Sequence, residues 1–126
     1  MKAILDTSVV LSTGLPRLEG QLAISSATLA ELHFGVLVTN DPTVRAERLR
    51  RLSVIQRTFD AAPIDDAVAA SYGMLAAAVV SAGRKPRGRV MDLLIAATAH
   101  ANDARLYTRN ADDLVGLESL VDIVAV

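Results

Sequence analysis

The 126-residue sequence contains no cysteine. That excludes a disulfide framework, a thiolate nucleophile and any Cys-based zinc or iron–sulfur site, and it makes a reducing cytoplasm the default compartment. Aromatic residues are nearly as sparse: two Tyr and two Phe, unclustered, build no platform on which bases stack. An excess of one charge sign is missing too, since thirteen Lys and Arg face fourteen Asp and Glu for a net charge of −1. Neither a uniformly basic nucleic-acid binder nor an acidic disordered tail fits that balance. Lys2 is followed by only three apolar residues before Asp6, so no secretory leader is expected. The seventeen residues from Ala67 to Gly83 carry no charge. That touches the lower limit for a membrane span, about 17–25 residues, but Ser71, Tyr72, Gly73 and the alanines insert poorly. A buried helix and no membrane partner are the expectation.

What remains is enough for one domain, residues 1–126, since domains usually run to about 100–150 residues. Apolar residues make up 52% of the chain even with Gly left out. A chain this small has more such surface than it can hide, which points to a protein partner or self-association. Ala3-Ile4-Leu5 and Leu22-Ala23-Ile24-Ser25 read as buried strands that deliver the chain to helix starts. A helix is predicted from Ser26 to about Val38. A second, amphipathic one carries Leu49, Leu52, Ile55 and Phe59 on one face, and a third begins near Asp65-Asp66. Gly83 to Gly88 breaks the chain before an apolar helix from Val90 to Ala101. Arg105 to Thr108 reads as a strand, Asn110 to Leu114 as a turn or single helical turn, and Val121 to Val126 as a last strand. The alternation predicts an α/β fold, a parallel sheet covered by helices on both faces.

Four acids stand where a ligand site would form. Asp6 ends the first strand, and open parallel sheets bind ligands at the carboxyl ends of their strands; its alternative role is to cap the next helix. Glu31 has the small residues Ala27 and Gly35 four positions to either side, leaving open space above its carboxylate, unless it merely faces solvent. Asp92 is the only charged residue between Val90 and Ala99. Burying it unpaired would cost several kcal/mol, so it caps its helix, pairs with a cation or holds a metal. Asp113 follows the strand ending at Thr108, with Asp112 as the alternative fourth acid. Four converging carboxylates repel one another unless a divalent cation neutralises them, and an all-oxygen set favours Mg²⁺ or Mn²⁺. Such a site suits phosphoryl chemistry.

With these pieces in order, the chain resembles the PIN-domain ribonucleases, and within them the VapC-type toxins that pair with a small VapB-type antitoxin. The resemblance rests on Asp6-Thr7-Ser8, on Thr28 to Gly35, on Asp92 to Ala99 and on Thr108 to Leu114, which together span nearly the whole chain. Leu114 stands where the family often has Phe. The resemblance implies a Rossmann-like α/β/α sandwich and Mg²⁺- or Mn²⁺-dependent endoribonuclease activity, with inhibition by the antitoxin. It implies Asp6, Glu31, Asp92 and Asp113 as the catalytic, metal-binding quartet, with Thr7, Ser8, Thr108 and Asn110 as polar support. A homodimer agrees both with the family and with the commonness of twofold symmetry.

Charge is uneven along the chain. Arg45, Arg48, Arg50, Arg51 and Arg57 against Glu47 give one helix a net +4, and Arg84, Lys85, Arg87 and Arg89 put another +4 into six residues. A polyanion whose scissile phosphate meets the metal would have its neighbouring phosphates met by such cations, the loop residues first. The expected substrate is structured RNA, transfer or ribosomal RNA ahead of messenger RNA, although phosphate contacts of this kind admit all three. Two other classes compete: a phospho-acceptor receiver-like signalling domain, and a catalytically inactive PIN-like interaction module.

Overall fold

A computed structural model describes residues 1–126. Its centre is a sheet of five strands in the order β3-β2-β1-β4-β5: β1 (Lys2–Leu5), β2 (Gln21–Ser25), β3 (Asp60–Ala62), β4 (Arg105–Thr108) and β5 (Ile123–Ala125). Every neighbouring pair runs parallel. Five helices connect the strands, α1 (Thr7–Val10), α2 (Ser26–Val38), α3 (Pro42–Thr58), α4 (Asp66–Ser81) and α5 (Val90–Ala101), and a 3-10 turn spans Ala111–Leu114. The α/β architecture expected from the sequence is the one observed. Receiver modules order their strands 2-1-3-4-5, so the 3-2-1-4-5 order here sets that alternative aside.

Side chains alternate across a strand, and β1 and β4 use that period to feed two cores. Ile4 and Leu106 point into a larger core with α4, α5 and Ala27 of α2, whereas Ala3, Leu5 and Tyr107 point into a smaller one with Val9, Ile24 and Ile55. Helices thus cover both faces of the sheet, as a parallel sheet requires. The chain leaves β1 towards β2 on one side and reaches β4 on the other, so the crevice beyond the carboxyl ends of β1 and β4 is the topological switch point.

Local chemistry starts each helix. The Ser25 hydroxyl accepts from the Ala27 amide at 3.0 Å, Asp41 caps α3 ahead of Pro42, and the Asp65 carboxylate accepts from Val68 at 3.0 Å. Gly83, at φ +78°, ends α4 in the left-handed conformation, with Arg84 donating back to the Val79 carbonyl.

Four particulars differ from the sequence expectations. β3, a three-residue Asp-Ala-Ala edge strand, has no apolar pattern of its own and exists through pairing with β2. The last strand is shorter, Ile123–Ala125, with Val121 already buried in the core before it. Leu49 is half exposed, because at 3.6 residues per turn it stands about 120° from Ile55 and a stripe centred on Leu52 and Ile55 leaves it out. The uncharged stretch of α4 is buried only along Val68, Ser71, Leu75 and Val79, whereas Met74 and Val80 face outward. No helix is long and apolar enough to cross a membrane.

Candidate active site

The switch-point crevice is lined by Asp6, Asp92, Thr108, Asn110 and Asp113 over an apolar floor of Ile95, Leu106 and Leu114. Each residue arrives from a different part of the topology. Asp6 follows β1 directly, Thr108 ends the adjacent β4, Asp113 rides on the 3-10 turn after it, and Asp92 lies in the first turn of α5. Asp113 rather than Asp112 lines the crevice. Glu31, on α2, lies beside it at the end of a groove of about 370 Å³ that also takes in Thr7, Leu32, Gly35, Arg48 and Arg51. Of the two small neighbours of Glu31 only Gly35 borders open space, where an added Cβ would meet nothing within 4 Å; Ala27 is fully buried in the core.

Hydroxyls hold two of the acids. One carboxylate oxygen of Asp6 accepts from the Ser8 hydroxyl and from the Val9 amide at 3.2 Å, while the other accepts from the Thr108 hydroxyl. Asp6 therefore has both roles expected of it, capping α1 and lining the crevice. Thr108 in turn accepts from the Asn110 amide at 3.0 Å. The Thr7 hydroxyl donates to Glu31 at 2.7 Å and lies 3.0 Å from that of Thr28, which is fully buried. Thr28 is a support residue that sequence reasoning passed over; the available signal was its place three residues before Glu31, on the same helical face. Ser25 and Thr98 were passed over as well. Their hydroxyls meet at 2.9 Å in a fully buried contact that joins the start of α2 to α5, and Thr98 donates to the Leu94 carbonyl at 2.8 Å.

Asp92 differs from the expectation of a buried, unpaired acid. Leu93 and Ile95 are buried, but successive helical residues turn by 100°, and Asp92 faces the open crevice as an exposed residue. Nor does it cap, because Arg89 holds the N-cap position. The walls of the crevice still strip water from part of its carboxylate. That desolvation first, and then the negative charges of Glu31, Asp113 and Asp6, hold Asp92 above the usual carboxylate range, with the Arg89 cation opposing them. The field at one side chain thus registers all three partners.

Cations surround the acids without neutralising them. The chain has one ion pair, Arg105 with Asp122 at 2.9 Å, and neither belongs to the quartet. In the basic loop, Lys85 and Arg87 are exposed, whereas Arg84 and Arg89 are half-buried and donate to the main-chain carbonyls of Asp112 and Asp113. On α3, Arg48 and Arg51 donate to the Gly35 and Leu11 carbonyls, each at 2.7 Å, along the groove that ends at Glu31. Of the two histidines, His100 meets the Ser71 hydroxyl through Nδ1 at 2.7 Å, and His33 is exposed.

The PIN-domain family model matches residues 3–115. The chain belongs to the PIN-domain family. Within it, Ribonuclease VapC5 of Mycobacterium tuberculosis is 32% identical over 126 residues, covering 95% of this chain and 90% of that protein. Ribonuclease VapC4 of the same organism is 32% identical over 117 residues, with 88% of each covered. Among solved structures, VapBC-5 from Mycobacterium tuberculosis, a member of the VapBC family of toxin–antitoxin systems, has a TM-score of 0.78 at 29% identity. It covers 99% of this chain and 97% of its own. VapBC2 from Rickettsia felis shares the PIN fold at a TM-score of 0.77 and 22% identity, covering 100% and 98%.

The four carboxylates of this PIN domain fit a hard divalent ion by donor chemistry, and the repulsion felt at Asp92 is what a cation relieves. No three acidic or histidine side chains are gathered at ligating distance.

Proposed function

We propose that this PIN-domain chain is a metal-dependent endoribonuclease toxin that cleaves phosphodiester bonds in structured RNA and is held inactive by a VapB-type antitoxin. The observation that carries the reading is the gathering of Asp6, Asp92 and Asp113 from separate segments in the switch-point crevice, with Glu31 beside it and its charge felt at Asp92. These four residues would hold Mg²⁺, with Mn²⁺ as a substitute. Held by these residues, the ion would supply charge neutralisation of the carboxylates and activation of the attacking water. The remaining groups keep the acids in place: Ser8 and Thr108 orient Asp6, and Thr7 orients Glu31.

Phosphates flanking the scissile one would meet Lys85 and Arg87 of the exposed loop and Arg48 and Arg51 along the groove. Such contacts position a chain without reading its bases, which suits recognition by shape in transfer or ribosomal RNA. The relatives named as ribonucleases and the neighbour described as a toxin–antitoxin system support the reading. An antitoxin would gain apolar burial on α2, where Phe34, Leu37 and Val38 are 66%, 71% and 54% exposed.

Purified antitoxin-free protein incubated with cellular RNA and Mg²⁺ should give a few discrete cuts, suppressed by chelation. Asp6→Asn and Asp92→Asn should reduce cutting to background while keeping the native circular dichroism spectrum. If the folded parent leaves the RNA intact, or the Asn variants cut as well as the parent, the reading is wrong. The first result would favour an inactive interaction module.

A further inference from the structure

We propose that Arg89, assisted by Arg84, is a positioning residue that fixes Asp113 opposite Asp92 by holding the main chain of the 3-10 turn, a role built on the metal-site reading above. Arg89 is the N-cap residue of α5, three positions ahead of Asp92, and its guanidinium crosses to the Asp113 carbonyl. Arg84 reaches the preceding carbonyl, that of Asp112, at 3.3 Å. One loop thus grips two consecutive peptide units of the segment that carries the fourth acid.

Three features make this a tether rather than an incidental contact. First, the acceptor is a carbonyl and not the carboxylate, so Asp113 is placed while its side chain stays free to bind an ion. An ion pair would have consumed it. Second, the anchored end is fixed. The Arg89 amide donates to Pro86 at 3.0 Å, its carbonyl accepts from Leu93 at 2.9 Å, and Gly88 supplies the left-handed step before it at φ +86°. Third, the turn's own ties lie at its two ends and not at the Asp112 and Asp113 carbonyls: the Asn110 amide donates to Thr108, Leu114 is buried in the core, Asn110 makes no side-chain cap bond, and Asp112 and Asp113 are exposed. Arg89 and Arg84 are also half-buried, unlike Lys85 and Arg87 between them. The basic loop therefore divides its work, the two flanking cations reaching inward to the turn and the two between them facing solvent. A guanidinium suits the inward task because its several donors are fixed in a rigid plane.

Calorimetric titration of the full chain with Mn²⁺, without RNA, separates the possibilities. Asp92→Asn is the control and should abolish binding. Arg89→Met keeps the apolar stem and removes the donors, and it should weaken Mn²⁺ binding about tenfold, in the range for residues that orient metal ligands. Coulomb's law alone predicts the opposite sign, because removing a cation beside the site favours another cation. Arg89→Lys should recover part of the loss, and it serves as the test if the Met variant does not fold. Binding of RNA in chelator should be unchanged in both. Mn²⁺ affinity that is unchanged or higher in Arg89→Met, with RNA binding weakened, would overturn the clamp and make Arg89 a phosphate contact. If Asp92→Asn itself binds Mn²⁺ as the parent does, the metal reading fails first and the clamp loses its purpose with it.

Discussion

Asp92 carries a charge that the fold opposes. Its protonation is favoured over that of an ordinary aspartate at 3.8, through desolvation and then repulsion by Glu31, Asp113 and Asp6. Because the folded value exceeds the unfolded one, the folded state binds more protons between the two, and stability falls as pH rises through that window. Above it the full destabilisation persists. Asp92→Asn should therefore be more stable than the parent at pH 7, by roughly 0.5 kcal/mol for charges this open to water. The difference should close as the pH drops towards 3.8, which urea melts at several pH values would follow. At this scale the sequence was informative in an uneven way. Asp92 stood out because a lone acid in an apolar run needs a reason, yet one-dimensional neighbours suggested burial, whereas the helix turns the carboxylate away from Leu93 and Ile95. The choice between Asp112 and Asp113 depended on the pitch of a single 3-10 turn, which residue spacing does not encode.

At the scale of elements, α2 and α5 bring Glu31 close enough for its charge to be felt at Asp92, and the buried Ser25–Thr98 contact joins the two helices. Thr98→Val strands the Ser25 hydroxyl and should cost about 1–3 kcal/mol. Ser25→Ala forfeits the α2 cap as well, about 1 kcal/mol. The double variant should cost less than the sum, with a coupling on the order of 1 kcal/mol in a denaturation cycle. Additivity would mean that the contact does not link the helices. α2, α5 and β4 have the boundaries expected from sequence: Ser25 caps the start of α2, the break from Gly83 to Gly88 sets the start of α5, and β4 is a short apolar run that ends at Thr108. β3 was invisible for the converse reason: Asp60-Ala61-Ala62 has no pattern until β2 offers it a partner. Thr28 and Thr98 were hidden as support residues because a hydroxyl in an apolar helix reveals its partner only in three dimensions.

For the whole molecule, near-neutral charge conceals a spatial separation: three acids line one crevice with Glu31 beside it, while the cations of α3 and the basic loop are not ion-paired. Binding to single-stranded RNA should then weaken steeply with salt, since each neutralised phosphate contributes about 0.7 to the slope of log affinity against log salt. Replacing Lys85 and Arg87 together by Gln should flatten that slope by roughly 1.4 without changing Mn²⁺ affinity. A slope that stays the same would place the RNA elsewhere.

The bond between Asp6 and Thr108 spans 102 residues. The crevice takes residues from Asp6 through to Leu114, so no piece of the chain that lacks either β1 or the 3-10 turn contains it. Sequence distance here acts as a delay: the site exists only once the turn that carries Asp113 has joined the sheet.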